Sequence, residues 1–385
     1  MTLSIIISLL LATSLVIWIF ILIDAFVGLR RIDRLEKENS LKDGPLVSII
    51  IAARNEEKGL KESLQSQFAQ LYQNIEWILV NDRSTDQTPL IMNEIQMDHR
   101  KVNVIHIVDL PHGWLGKNHA LFVGAKKAKG EFLLFTDADV LFHKEAVAKA
   151  IHYFMRHKLD HLTAAPNLHG QRLWLNSFIA FFMFGFSYFK RPWQANHPQS
   201  KIGMGIGAFN LVRKDTYEKL GSHEVIKMRP DDDLMLGKQM KIKGFKQRIV
   251  TALPLLEVEW YSTLKEALVG LEKNTFAGLH YRLSMVFFAI FGVFVSQVLP
   301  FITLFTNDFT LFSLSIANIL LLAICYSLII RRMTNYTPWM FLIFPLTAIL
   351  FIYSIIRASF LTFIRGGIIW RGTKYRLKDL RKNGM

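Results

Sequence analysis

The feature that most constrains this chain is an unbroken apolar run from about Leu3 to Leu29, closed by Arg30, Arg31, Arg34 and Lys37. A helix of roughly 20 apolar residues crosses a bilayer core, so the run is long enough to span. A cleavable leader would place positive charge ahead of the run and a small-residue cleavage site after it, and neither is present. The lysine and arginine bias instead predicts an uncleaved anchor with its carboxyl end in the cytoplasm. Three later runs, about Leu283 to Phe305, Leu311 to Ile330 and Trp339 to Ile356, each approach spanning length. Asn307 and Asp308 would then lie outside and Arg331 and Arg332 inside. A third crossing would carry the basic carboxyl terminus outside. Pro345 is therefore expected to break the last run into a re-entrant or interfacial hairpin, returning Arg357 to Lys382 to the cytoplasmic face.

Composition agrees with a multi-pass protein of the cell membrane: 51 % of the 385 residues are hydrophobic, and 30 are Phe. The single Cys excludes a disulfide framework and a cysteine-rich zinc site. A formal charge of +15 raises the question of nucleic acid. No basic and aromatic strand platform or helix-turn-helix accompanies it, and part of the excess flanks the apolar runs, so anionic phospholipid headgroups are the expected counter-charge.

Between the apolar runs lies a long, mixed middle. Val47 to Ala53 reads as a buried strand, and Arg54 to Glu57 is expected to open a helix carrying Leu60, Leu64, Phe68 and Leu71 at spacings of three and four. Ile75 to Val80 is a second strand ending in the polar cluster Asn81 to Asp86, and Val102 to Val108 a third. Gly113 to Asn118 reads as a polar loop before a helix from about His119 to Ala128. The fourth strand, Glu131 to Thr136, runs into Asp137-Ala138-Asp139. Strands alternating with helices predict an α/β fold with a mostly parallel sheet, whose strand ends gather the polar groups.

Asp137 and Asp139 are spaced i and i+2, so in an extended chain they share a face. A divalent cation or polar ligand at the carboxyl end of a strand explains them, as does a solvated turn. Asn, Asp, Ser and Thr in the 81–86 cluster also favour turns and helix caps, which leaves Ser84 and Asp86 open to a structural role. Glu57 fits a first-turn carboxylate favoured by the helix dipole.

Ala52-Ala53-Arg54-Asn55-Glu56, Asn81 through Asp86, Thr136 through Asp139 and Asp232 through Gly237 resemble, in that order, the motifs of the family 2 inverting glycosyltransferases with a GT-A fold. The resemblance covers roughly residues 47–275. Trp114-Leu115-Gly116-Lys117-Asn118-His119-Ala120 and the apolar tail look like the membrane members that modify carotenoid acids, hopanoids or ceramide-like lipids. This implies a nucleotide-sugar donor, of the UDP type, and a membrane lipid acceptor. Asp82 would hydrogen-bond the uracil, with Ala53 and Glu56 lining the nucleoside pocket. Asp139 would ligate Mg²⁺ or Mn²⁺ directly, and Asp137 would contact the ribose or the metal shell. Lys117 would be a second positive group near the phosphates, against a plain reading as a surface lysine. A cation held by carboxylates suits this reaction, because a departing diphosphate accumulates negative charge.

The later half is looser. Leu173 to Phe189 is rich in Phe and followed by Lys190, Arg191 and Trp193, which reads as an interfacial helix beside the membrane, or equally as a buried core helix. Gly203, Gly205 and Gly207 alternate, permitting close backbone approach to a ligand. The third glycine comes too early for a dinucleotide-binding fingerprint. Asp231-Asp232-Asp233 follows Pro230 and opens a helix. At least one of the three is expected to cap it, and mutual repulsion is expected to raise the pKa of another toward a general base. The resemblance assigns that base to Asp233, with Asp232 as its neighbour and the alternative one residue away.

One departure stands out. Related processive and ceramide-type enzymes carry Gln-x-x-Arg-Trp after the base, where this chain reads Gly270 to Gly278. Lys273 and Asn274 are the candidates to replace its phosphate-facing charge and hydrogen bonding. The histidines show no metal-ligand spacing. The expected organisation is a transmembrane anchor over 1–29, a linker over 30–46, a cytoplasmic catalytic domain over 47–275, a membrane region of about three segments over 276–356, and a basic interfacial tail over 357–385. The competing classes are a membrane polysaccharide synthase-like enzyme, a non-catalytic membrane scaffold of the same fold, and a transporter. A transporter leaves the long middle without a role, and four separate carboxylate positions speak against a scaffold.

Overall fold

The computed structural model describes residues 2–370 and 373–377, with the side chains of 2, 273, 274, 277, 368–370 and 373–375 excepted. In chain order the elements begin with α1 (Thr2–Leu29), β1 (Asp33–Arg34), β2 (Val47–Ala53), α2 (Leu60–Phe68), β3 (Ile75–Asp82), α3 (Thr88–Asp98) and β4 (Val102–Ile107). They continue with α4 (Gly116–Lys127), β5 (Phe132–Thr136), β6 (Leu141–Phe142), α5 (Ala146–Arg156), β7 (His161–Ala165), β8 (Asn167–His169) and α6 (Leu173–Lys190). After these come β9 (Asn210–Arg213), α7 (Lys214–Leu220), α8 (Asp232–Ile242), β10 (Gln247–Thr251), β11 (Leu256–Glu259) and α9 (Leu264–Gly278). The apolar end holds α10 (Leu283–Val293), α11 (Leu299–Thr303), α12 (Phe309–Met333) and α13 (Phe344–Ile364).

The chain divides into two compact units, one of residues 31–168 and 192–259, the other of 1–30, 169–191 and 260–385. The first is built on an eight-stranded sheet of order β1-β10-β7-β9-β5-β2-β3-β4. All its pairings are parallel except those of β9, which runs antiparallel to both β5 and β7. Such a sheet is covered on both faces, which is why β2 and β5 are apolar almost throughout and buried. Ile49, Ile51, Leu79 and Leu134 belong to one core, while Ile50, Ile78, Val80 and Phe135 belong to the other, as alternation along a strand requires. Strand β2 lies between β3 and β5, and the chain turns outward in opposite directions on its two sides. The carboxyl ends of β2, β3 and β5 therefore meet at a topological switch point, where open α/β sheets bind ligands.

The helix expected from Arg54 begins only at Leu60. Asn55 adopts a left-handed conformation (φ 56°), and its backbone and side chain are committed to the neighbouring loop. Helix α4 starts earlier than expected, so Lys117 and Asn118 sit in its first turn and not in a loop.

In the other unit, four helices among the described residues are long and apolar enough to cross a membrane: Leu3–Leu29, Leu283–Thr303, Phe309–Met333 and Pro338–Ile364. Pro345 does not break the last of them. It occupies the first turn of α13, where a missing N–H leaves no bond unmade, and the helix continues to Ile364. Pro300 does perturb its helix: the Phe294–Val298 turn widens to π geometry, and the carbonyl of Ser296, which Pro300 cannot bond, accepts from Trp18 Nε1 at 3.3 Å. Helix α6 buries one face and leaves Leu173, Trp174 and Phe189 exposed near its ends. Phe178, Phe181 and Phe184 are buried, and Phe184 packs on Trp18, Tyr326 and Phe344. Glu272 on α9 pairs with both Arg357 and Arg365 of α13 and its C-terminal cap, drawing the two elements together.

Candidate active site

Three adjacent strand ends and one helix start supply the polar groups. Ala53 ends β2 and pairs with Asn81 of β3, Asp82 is the last residue of β3, and Asp137 follows β5 directly. The β2 and β3 ends are stitched together by side chain to backbone bonds. Asn55 N–H donates to Ser84 Oγ (3.0 Å) and Thr85 N–H to Asn55 Oδ1 (2.8 Å). Glu56 N–H donates to Thr88 Oγ1 (2.8 Å), Glu57 N–H to Asp86 Oδ2 (3.2 Å) and Gln87 N–H to Glu57 Oε2 (3.0 Å). Ser84, Asp86 and Glu57 thus have structural work, and Glu57 is not a first-turn helix carboxylate. Bonds from the Thr88 hydroxyl and from backbone amides hold the Asp86 carboxyl below its usual range, outweighing burial.

Asp82 is buried and paired with two arginines: Arg83 Nε donates to it at 2.8 Å, and the Arg54 guanidinium lies within ion-pair distance at 3.9 Å. Its carboxylate lies against Gly116, where any Cβ would overlap it. Arg83 is itself left-handed (φ 55°), a strained conformation of the kind that clusters at binding sites. Both arginines directly follow a strand in the sequence, the signal by which they were detectable.

Asp137 and Asp139 sit in a turn after β5, not in extended chain. Asp137 Oδ1 accepts from Lys117 Nζ at 2.7 Å, and Lys117 reaches Asp232 Oδ2 at 3.6 Å. Burial works against the Lys117 charge, but Asp137, Asp232 and Asp233 outweigh it and hold the ammonium well above the ordinary lysine range. Asp139 keeps one flank exposed, yet burial of its carboxyl on the other side, then Asp137 and Glu56, push it up to about 6.

This crowding of hard oxygen donors around Asp139 fits a divalent cation, whose charge would remove the repulsion that raises the Asp139 pKa. Among the described residues no group of three or more His, Cys, Asp or Glu forms a cage. Mg²⁺ and similar ions are commonly held by one or two carboxylates together with substrate phosphates, and that is what this donor set offers.

Helix α8 brings the third element. Asp231 is taken by a bidentate pair with Arg229 (2.9 and 2.8 Å) and makes no side-chain cap. Asp232 faces Lys117. Asp233 accepts from Gly207 N–H (2.7 Å) and from its own helix at Leu234 N–H (2.7 Å). Gly207 in turn accepts from Asp137 N–H at 3.0 Å, so one residue joins the two acidic sites. Burial, then Asp232, push Asp233 up to about 6, with Lys117 opposing. The alternating glycines allow close packing within the site: a Cβ on Gly205 would overlap the Asp233 carbonyl, one on Gly203 the Gly237 carbonyl, and one on Gly207 the Asp137 carboxylate. Gln247 completes the seam, accepting from Met204 N–H (2.9 Å) and donating to Gly237 O (2.9 Å).

Of the residues singled out from sequence, Ala53, Glu56, Asp82, Lys117, Asp137, Asp139, Asp232 and Asp233 all lie in this one unit. The side chain of Lys273 lies outside the described residues; its backbone belongs to α9 in the other unit. Sequence reasoning missed the fully buried Asn118, whose Nδ2 donates to Ile226 O (2.8 Å) and Arg229 O (2.9 Å).

Residues 48–221 match the family model described as Glycosyl transferase family 2. The 4,4'-diaponeurosporenoate glycosyltransferase of Staphylococcus aureus is 26 % identical over 221 residues, which make up 56 % of this chain and 56 % of that protein. The chain thus spans about half the length of the curated relatives it matches. Among solved structures, the mannosyltransferase PcManGT from Pyrobaculum calidifontis, in complex with GDP-Man and Mn²⁺, is similar with a TM-score of 0.52 at 16 % identity, over 93 % of this chain and 99 % of that one. At that identity the likeness is one of fold.

Proposed function

The chain carries a family 2 glycosyltransferase domain of the GT-A fold, and from that premise we propose that it is an inverting enzyme moving a sugar from a nucleotide donor to a hydroxyl or carboxyl of a membrane lipid. The observation that carries the reading is the meeting of Asp137 and Asp232 across Lys117, with Asp233 tied to Asp137 through Gly207. A donor-phosphate end and a base are then parts of one site.

In this reading Asp82, with Ala53 and Glu56, receives the nucleoside, a uridine by resemblance. Asp139 and Asp137 hold Mg²⁺ or Mn²⁺, which when bound would offset charge developing on the departing diphosphate. Lys117 adds a second positive group on the same side. Asp233, with a pKa near 6, is ionised at neutral pH yet basic enough to take the acceptor proton as its oxygen attacks the anomeric carbon opposite the leaving group. The two backbone N–H bonds aim its carboxylate. Lys273 belongs here only as a proposed phosphate-facing group.

Support for the classes of donor and acceptor comes from relatives: PcManGT was solved with a nucleotide sugar and Mn²⁺, and the staphylococcal relative is named for a carboxylate acceptor. The four long apolar helices support a multi-pass membrane protein, and the charge bias supports a cytoplasmic catalytic region over 47–275 between the 1–29 anchor with its 30–46 linker and the 276–356 membrane region. The basic residues that follow α13, from Arg365 onward, would meet anionic headgroups. The test is transfer of radiolabelled sugar from a panel of UDP- and GDP-sugars into a lipid extract by the purified protein, with Mn²⁺ or with chelator. Label entering the organic phase only with metal supports the reading. Label remaining in water as polymer turns it toward a polysaccharide synthase.

A further inference from the structure

Gly116, Lys117 and Asn118 are consecutive, and each meets a different part of the site. Gly116 abuts the Asp82 carboxylate, Lys117 pairs with Asp137 and Asp232, and Asn118 reaches the segment that leads into the three aspartates. Asn118 is fully buried. Its Nδ2 donates to Ile226 O at 2.8 Å and Arg229 O at 2.9 Å, with Lys227 O at 3.3 Å, while Leu115 N–H donates to Lys227 O at 2.9 Å. Its Oδ1 has no hydrogen-bond partner among the described residues. The position therefore uses only the donor half of the amide, and a group that merely filled the space would do nothing for three converging carbonyls.

Resting on the transfer reaction proposed above, we infer that Asn118 is a positioning residue: it fixes the 226–230 segment, and through it holds Asp232 and Asp233 in register with Lys117 and Asp137. The direction of its effect follows from what else holds each side. Helix α4 is anchored independently, with Ala120, Leu121 and Ala125 buried and Gly124 pressed so closely on Ile50 and Val80 that a Cβ would not fit. The 226–230 segment has fewer ties, chiefly buried Ile226 and the bonds from Asn118 and Leu115. Loss of the amide donor therefore frees the acid segment and leaves the helix and the donor side in place. Asn118→Asp is the sharpest change, since it keeps the shape and turns a donor into an acceptor facing carbonyls.

The experiment is made on the full chain in detergent, comparing wild type with Asn118→Asp and with Asn118→Ala, the second guarding against misfolding of the first. Three quantities are read: amide hydrogen exchange of 226–233, binding of UDP (or GDP, if wild type prefers it) with Mn²⁺, and sugar transfer. Exchange of 226–233 should accelerate while β2 and α4 keep their protection. Nucleotide affinity should stay within about threefold, and turnover should fall about 10- to 100-fold, the scale expected for a catalytic group displaced by about 1 Å. Unchanged exchange and turnover would overturn the inference, as would equal losses of protection across the whole sheet, which mark a general packing role. Absence of transfer by wild type would instead count against the proposed reaction, and the exchange measurement would still decide the role of Asn118.

Discussion

The two sides of this site are built in different ways. On the nucleotide side, the loops after β2 and β3 are laced by at least five side chain to backbone bonds, and Asp82 has two arginines beside it. On the acid side, the segment entering α8 is held by Asn118, the Leu115 N–H, the Gly207 N–H, the Lys117–Asp232 pair and the Arg229–Asp231 pair. Redundancy makes the first side tolerant of single changes. The second has fewer contacts, so each carries more: those from Leu115, Lys117 and Asn118 come from the start of α4, one comes from Gly207, and the Arg229–Asp231 pair lies within the segment itself. The difference teaches that a donor pocket can be set by local loop chemistry, whereas the base is placed by a contact from Gly207, 26 positions away, and by a segment that Asn118 holds from more than a hundred positions away.

The contrast can be broken most sharply at Lys117, whose side chain touches both Asp137 and Asp232. Lys117→Met keeps the length of the side chain and removes its charge. Transfer should fall on the order of 100-fold, as for loss of one preorganised positive donor at a developing anion, in a steady-state assay. A change of less than threefold would show that the two sides are not joined there.

A smaller effect is expected from acid, and it acts on the frame behind both sides. His161 is buried and neutral, with Nε2–H donating to Asn210 Oδ1 (2.9 Å) and Nδ1 accepting from Gln247 (2.6 Å). Burial pushes it down to about 4, and pushes His223, beside Tyr217, down to about 3. Because these folded values lie below the unfolded value near 6.5, the unfolded chain takes up the protons first. Stability is full above about pH 6.5 and is lost as pH falls, by about 2 kcal/mol per histidine at pH 5. Thermal unfolding in detergent at pH 7.5 and pH 5 should show the drop, and His161→Gln should reduce it. The smallest effect belongs to Asp86→Ala on the laced side: about 1 kcal/mol of stability and an increase in donor KM of less than about threefold, checked by the same two assays.

Much of the frame was legible in the sequence because strands buried on both faces are written as continuous apolar runs. Val47–Ala53 is a strand over the residues its composition predicts, and the polar clusters do fall at strand ends. What could not be read depends on partners distant in sequence. Asn55 looks like the start of a helix until the loop 29 and 30 residues away binds it in a left-handed turn. The glycines at 203, 205 and 207 look like a ligand cradle, but their missing side chains make room for the backbone of α8 and for the Asp137 carboxylate. Asp137 and Asp139 converge through a turn, a geometry that spacing alone does not distinguish from a strand. Asn118 falls within the Trp114–Ala120 motif, but its positioning role could not be read, since its carbonyl partners lie 108 to 111 residues away.

The most direct test of the central claim, that donor and base share one site with Asp233 as the base, is a paired measurement on Asp233→Asn in the full-length protein. The change is isosteric and leaves Asp82, Asp137, Asp139 and Lys117 untouched. Binding of the nucleoside diphosphate with Mn²⁺ should stay within about threefold of wild type while sugar transfer falls about 100- to 10,000-fold, the range expected for a missing general base. Substantial transfer by this variant at neutral pH would contradict the account and move the base to Asp232 or elsewhere.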